Sequence, residues 1–139
     1  MQCILLKTAE GVDIIYPVSR SIEDIILLEL PPESVYSIID QASIPPTRVF
    51  RGAWVYQEEQ LTIDLNIARV IQKDRWRAAR APLLAQLDLD YIRAMETSNT
   101  SEMAAVVSKK QALRDITGID LSGITTADGI ESFWPEILI

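Results

Sequence analysis

The chain of 139 residues contains no histidine, which removes the side chain that most often acts as a general base or as a zinc ligand. Its single cysteine, Cys3, excludes an internal disulfide and a metal site built from cysteines. No S-x-x-K pair offers a serine nucleophile beside a lysine, and the five glycines are too scattered to form a phosphate-binding loop. The sequence therefore predicts a protein that is not an enzyme, and it indicates no cofactor and no metal.

Positive charge is also scarce, because 13 basic residues stand against 20 acidic ones and the formal net charge is −7. A nucleic-acid partner is disfavoured, since binding to phosphates requires the opposite sign of charge. The exception is the segment 66–80, which carries five basic residues and one acidic residue around Trp76. We interpret this basic run as pairing with the acidic N-terminal half of the molecule or as lying in solvent.

Long apolar runs are absent as well, and none approaches the roughly 20 residues that are needed to cross a bilayer. Met1 is followed by no basic segment of the kind that opens a secretory signal. We therefore expect no membrane association, and we expect the protein to reside in the cytoplasm of the cell that makes it.

Alternating apolar residues in the first 64 positions predict β-structure. One hairpin is expected from Cys3–Leu6 and Val12–Tyr16, and a second around Glu58 and Glu59. Between them, Ser21 is expected to cap a short helix, and residues 33–40 alternate as a strand does.

From Asp64 onward the apolar residues recur with a period of about 3.6, which predicts helices. Asp64 or Asn66 is expected to cap a helix that Pro82 should kink or break. Thr100 or Ser101 is expected to cap the next helix, and one last helical turn should follow near the C-terminus. The predicted class is α+β, with a small antiparallel β-rich N-terminal unit at 1–64 and a helical C-terminal arm at 65–139.

The segment "PPTRVFRGAW" at 45–54 combines turn residues, positive charge and aromatic surface. We expect Phe50 and Trp54 to be buried against the β-rich unit, while Arg48 and Arg51 donate to carboxylates of the acidic N-terminal half. The segment is then a structural clasp that ties the loop to the sheet.

Three stretches of the chain, taken in order, resemble one protein family. They are "IPPTRVFRGAW" (44–54), "IARVIQKDRWRAARAPLLAQLDLDY" (67–91) and "KKQALRDITG" (109–118) with the later pair Trp134-Pro135. The sequence is similar in these stretches to the tail-fibre assembly chaperones of bacteriophages.

The resemblance implies a non-enzymatic protein that binds a trimeric phage tail-fibre protein and assists its folding and trimerisation. Such a protein would act in the host cytoplasm during assembly, and in some cases would stay attached to the fibre in the virion. The alternative is a structural tail or baseplate component without chaperone activity.

Partner contacts are expected on the helical arm and near the C-terminus. The candidate residues are Trp76, Leu84, Leu87, Tyr91, Leu113, Arg114, Phe133 and Trp134. Each of them has the protein's own core as the alternative location, and we favour that alternative for the three leucines.

Overall fold

A three-stranded antiparallel sheet forms the start of the chain in a computed structural model that describes all 139 residues. Strand β1 (Gln2–Thr8) lies in the centre, between β2 (Gly11–Ile15) and β3 (Tyr36–Asp40). The first predicted hairpin is confirmed, and its turn uses Gly11 at a φ of 143°, which a residue with a side chain rarely adopts. Because side chains alternate along β1, Cys3 and Leu5 point to the same face and are buried there.

A short helix, α1 (Ile22–Leu28), connects β2 to β3. Its predicted cap is confirmed, because the Ser21 hydroxyl accepts a hydrogen bond of 3.1 Å from the backbone N–H of Asp24. Ile25 is buried, whereas the side chains of Leu27 and Leu28 are exposed.

The second predicted hairpin is also confirmed, with strands β4 (Trp54–Gln57) and β5 (Gln60–Ile63). Glu58 and Glu59 form its turn with φ values of 50° and 62°, the left-handed backbone that a type I′ hairpin turn requires at both positions. The buried Trp54 and Leu61 of this hairpin belong to the same apolar cluster as three residues of the first sheet. Those residues are Cys3, Leu5 and Ile39.

Helix α2 (Leu65–Glu96) is 32 residues long. It is capped by Asp64, whose carboxylate accepts from the N–H groups of Asn66 and Ile67 at 2.9 and 3.3 Å. Of the two outcomes predicted at Pro82, a kink or a break, the break is wrong, because the helix continues through this residue. Proline lacks the N–H that would bond the carbonyl of Ala78, and both residues lie on the exposed side, where water can satisfy that carbonyl.

Helix α3 (Thr100–Asp115) follows a short turn and is extended by one 3₁₀ turn at Ile116–Gly118. The predicted caps Thr100 and Ser101 are wrong. Asn99 occupies the cap position, and its side chain accepts a hydrogen bond of 3.1 Å from the N–H of Glu102. The last predicted helical turn is α4 (Ala127–Ser132), capped by the Thr126 hydroxyl.

The contacts within the chain divide it into two units, Met1–Ile67 and Ala68–Ile139. The predicted boundary lies at 64/65. The β-strands all fall in the first unit, and most of the helical residues fall in the second, so the predicted α+β class is confirmed. The second unit has its own apolar cluster, built on Trp76, Ile116 and Leu121.

Candidate partner-binding surface

One face of α2 carries apolar side chains along most of the helix. Its residues lie three, four or eight positions apart, which places them in a single stripe: Trp76, Leu84, Leu87, Tyr91 and Ala94. The first and last of these are buried, and the three between them are half-buried. The stripe is therefore only partly covered by the protein itself.

Helix α3 packs beside the second half of α2 in the opposite direction. Lys110 pairs with Asp88 across the two helices, and Arg80 donates hydrogen bonds of 3.1 and 3.0 Å to the carbonyls of Leu113 and Arg114. Arg80 thereby satisfies two of the carbonyls that the end of α3 leaves without an intrahelical partner.

A small cleft of about 110 Å³ is lined by Tyr91 of α2 and by Val107, Lys110 and Arg114 of α3. Val107 exposes 54% of its surface although it is apolar. We group these residues with the half-buried leucines of the stripe and call the set the hairpin surface, after the helical hairpin that α2 and α3 form. Its residues are Leu84, Leu87, Tyr91, Val107, Lys110 and Arg114. It is an apolar surface beside the guanidinium of Arg114 and the Lys110–Asp88 ion pair.

Two of the predicted contact residues lie in the core. Trp76 is 0% exposed and Leu113 is 2% exposed, so neither side chain can touch a partner while the second unit is folded. The indole Nε1 of Trp76 donates to the Phe133 carbonyl at 3.3 Å, and the rings of these two residues lie 5.9 Å apart between centroids. The C-terminal segment covers Trp76, so the expectation of a partner contact is corrected for Trp76. Leu113 lies in the core, the location that we favour for it from the sequence.

The other predicted residues at the C-terminus are held at the surface. Trp134 is half-buried, and the guanidinium of Arg75 lies 5.1 Å from the centre of its ring, within range of a cation–π interaction. Phe133 exposes 38% of its surface. Partner contact stays a prediction for these two residues and for the hairpin surface.

The sequence gives little sign of Gln72, which fixes the C-terminal segment in place. It is fully buried, and its Nε2 donates to the carbonyls of Glu131 and Phe133 at 3.3 and 3.0 Å. Its burial could have been predicted from its position four residues before Trp76 and four after Ala68, which puts it on the buried face of α2. A buried polar side chain needs hydrogen-bond partners, and the main chain of the C-terminal segment provides them.

The basic run of α2 binds main-chain oxygens of the second unit. Arg69 donates to the carbonyls of Leu121 and Ile124 at 3.1 and 2.9 Å. The prediction that the run pairs with the acidic N-terminal half is wrong for Arg80, whose bonds go to the end of α3. Arg77 instead pairs with Asp74 one turn earlier on the exposed side of α2.

The predicted clasp of the first unit is partly confirmed. Phe50 is 0% exposed and Trp54 is 3% exposed, as expected. Arg51 pairs with the Asp13 carboxylate at 3.3 Å. Arg48 does not meet a carboxylate, because its guanidinium donates to the Tyr16 hydroxyl at 3.2 Å.

Three titratable groups have perturbed protonation equilibria. The pKa of Asp120 is lowered, first by the backbone N–H of Ser122 and then by the hydroxyl of the same residue. The pKa of Asp40 is lowered by the N–H of Ala42 and by the N-terminal amine, whose nitrogen lies 3.7 Å from the carboxylate. Burial raises the pKa of the Cys3 thiol, which favours the unreactive protonated form.

No helix combines the length and apolar character needed to cross a membrane. Histidine, cysteine, aspartate and glutamate side chains nowhere form a group of three or more placed to hold a metal ion. Comparison with protein-family models, with curated proteins and with solved structures finds no match to this chain. The resemblance to tail-fibre assembly chaperones therefore rests on the three sequence stretches.

Proposed function

We propose that the protein is a non-enzymatic assembly chaperone that binds a trimeric phage tail-fibre protein. The observation that supports it most directly is the hairpin surface, on which apolar side chains of α2 and α3 stay partly exposed. The ordered resemblance of three stretches supplies the identity of the partner.

The chemistry of the hairpin surface suits a protein partner. Leucine side chains and a tyrosine provide apolar contact area, and arginine and tyrosine are enriched among residues that dominate binding energy. Arg114 adds positive charge that can orient an acidic segment of the partner, whereas the charge of Lys110 is already paired with Asp88. Because the cleft is small and the surface shallow, it fits side chains of a partner rather than an enclosed small molecule.

A fibre protein has a physical need for such a partner. Subunits of an intertwined trimer expose apolar faces and open strand edges until they have paired, and both promote aggregation. A small acidic protein that covers apolar surface transiently lowers that hazard while remaining soluble.

The proposal can be tested by co-expressing this protein with the tail-fibre protein of the same phage and measuring the yield of fibre trimer. We expect Val107→Asp to lower both the trimer yield and the amount of co-purified protein, because it places a charge in the apolar contact. Val107 is more than half exposed, so the substitution should leave folding intact.

Ile92→Asp is a matched control, because Ile92 is a similarly exposed β-branched residue on α2 and lies outside the hairpin surface. The proposal is wrong if the fibre trimerises in equal yield without this protein and the two never co-purify. A fixed copy number in purified virions, found together with that result, identifies a structural tail component instead.

A further inference from the structure

A second feature, in the first unit, is a small cavity under the "PPTRVFRGAW" segment. It has a volume of about 30 Å³ and is lined by Ile14, Tyr16, Arg48, Arg51 and Trp54. Ile14 comes from β2 and Trp54 from the start of β4, so the cavity walls belong to regular structure on two sides.

The indole of Trp54 supplies a hydrogen-bond donor without an acceptor. Trp54 is 3% exposed, and its Nε1 is buried with no hydrogen-bond partner in the protein. Nearly all buried polar atoms in folded proteins are satisfied, and a buried donor without a partner is costly. Since Nε1 can only donate, the missing partner must be an acceptor.

The other polar groups of the cavity are also donors. The hydroxyl oxygen of Tyr16 accepts a hydrogen bond from Arg48, so the hydroxyl hydrogen of Tyr16 remains free to donate. The guanidinium of Arg48 bonds to no carboxylate. Arg51 shares its charge with Asp13 through an exposed ion pair. Arg48 is therefore the cationic group of the cavity whose charge is not paired with a carboxylate.

The volume of the cavity limits what it can hold. A water molecule requires roughly 10–15 Å³ of such space, so about 30 Å³ admits two water-sized atoms. A carboxylate, with two oxygens joined through one carbon, matches that volume. The four oxygens of a phosphate or sulfate do not.

We propose that this cavity binds the carboxylate head group of an acidic ligand, with Arg48 and the Nε1 of Trp54 donating to its oxygens. Charge-assisted hydrogen bonds from arginine to a carboxylate are among the strongest in proteins, and a second donor fixes the orientation of the group. The remainder of the ligand lies outside the cavity, so the same site accepts a small carboxylic acid or the carboxylate of a peptide. The inference is independent of the hairpin surface and of the proposed chaperone function.

Indole N–H resonances of ¹⁵N-labelled protein provide the test, because the chain has three tryptophans and Trp54→Phe identifies the signal of interest. Titration with formate at constant ionic strength should shift the Trp54 signal saturably, as its proton gains an acceptor. The signal of Trp76 is the internal control, since its Nε1 already donates to the Phe133 carbonyl. Phosphate at the same ionic strength should leave the Trp54 signal in place.

Arg48→Gln should weaken formate binding about tenfold or more, because it removes the charged donor. Arg77→Gln is the matched control, since it removes an exposed arginine of the second unit without touching the cavity. The indole N–H spectrum of each variant checks that it is folded, and we expect both to match the unaltered protein without formate.

N-acetylglycine, which carries a peptide-like C-terminal carboxylate, distinguishes the two ligand sources. Saturation by formate alone indicates a small acid, and saturation by both indicates a peptide carboxylate; either result supports the site. A Trp54 signal that does not saturate with any carboxylate overturns the proposal. Equal shifts with phosphate, or equal binding by Arg48→Gln, overturn it as well and leave only water as the occupant.

Discussion

Arginines of the two units bond to different kinds of oxygen. In the first unit, Arg48 and Arg51 are exposed and donate to side chains, a tyrosine hydroxyl and a carboxylate. In the second unit, Arg69 and Arg80 are half-buried and donate to main-chain carbonyls. Main-chain carbonyls are held in place by the fold, so arginines that satisfy them stabilise it. Exposed arginines that bond to other exposed side chains contribute less to stability and remain available to a ligand.

The contrast extends to the aromatic residues beside these arginines. Trp76 in the second unit has its indole N–H satisfied by the Phe133 carbonyl, whereas the N–H of Trp54 in the first unit has no partner in the protein. The second unit therefore uses its donors internally, and the first keeps some of them unused.

The largest effect is expected for Trp76→Ala in the second unit. It removes a fully buried indole and its hydrogen bond, and such truncations cost about 3–5 kcal/mol in the free energy of unfolding. Urea denaturation followed by circular dichroism at the helical band measures it. Trp134→Ala is the control, and because Trp134 is half-buried we expect a smaller loss. Equal losses in the two variants would contradict the placement of Trp76 at the centre of the core.

An intermediate effect is expected for Arg80→Gln. It leaves the carbonyls of Leu113 and Arg114 without their charged donor, and we expect a loss of about 1–3 kcal/mol in the free energy of unfolding. The matched variant in the first unit is Arg51→Gln, which breaks an exposed ion pair and should cost less than about 1 kcal/mol. The comparison between the units fails if Arg51→Gln proves the more damaging of the two.

A smaller effect is expected at the start of α3. Asn99→Ala removes the cap of this helix and should cost about 1 kcal/mol. Thr100→Ala provides the control, since Thr100 is the first helical residue and its side chain does not cap the helix. If Thr100→Ala is the costlier change by urea denaturation, the cap lies one residue later than the structure places it.

The smallest effect concerns pH and the loop before α4. The pKa of Asp120 is lowered in the folded protein, so its ionised form stabilises the fold above the ordinary aspartate pKa of about 3.9. That contribution is lost as the pH falls through the lower folded pKa. Asp120→Asn should therefore flatten the acid dependence of stability slightly, and thermal unfolding between pH 5 and 2 checks it. An unchanged acid profile would show that Asp120 plays no part.

The sequence predicts the β-hairpins well because their signals are local. Alternating residues and a two-residue turn at Glu58 and Glu59 specify β4 and β5 without reference to the rest of the chain. The cap of α3 is missed because asparagine, threonine and serine are all good caps, and only the backbone angles of the turn decide between Asn99 and Thr100.

The candidate surface is harder to predict, since it depends on which side of α2 is covered. Spacing alone puts Trp76 and Tyr91 on the same stripe, yet the C-terminal segment and α3 bury the first and leave the second half-exposed. The partners of Arg80 are main-chain carbonyls more than 30 residues away. Every residue has such a carbonyl, so the sequence does not indicate which of them accepts a hydrogen bond. These contacts are set by tertiary packing, and neither composition nor periodicity encodes them directly.

The turn between β4 and β5 has a consequence for how the protein behaves in concentrated solution. Glu58 and Glu59 hold a left-handed backbone that asparagine and glycine adopt more easily, so the turn gives up conformational stability to keep two negative charges at its tip. A two-stranded sheet has open edges that invite pairing with another copy, and adjacent like charges repel such an approach. We expect the double substitution Glu58→Asn with Glu59→Gly to raise the unfolding temperature and to lower solubility. The two glutamates thus lower thermal stability while they oppose self-association.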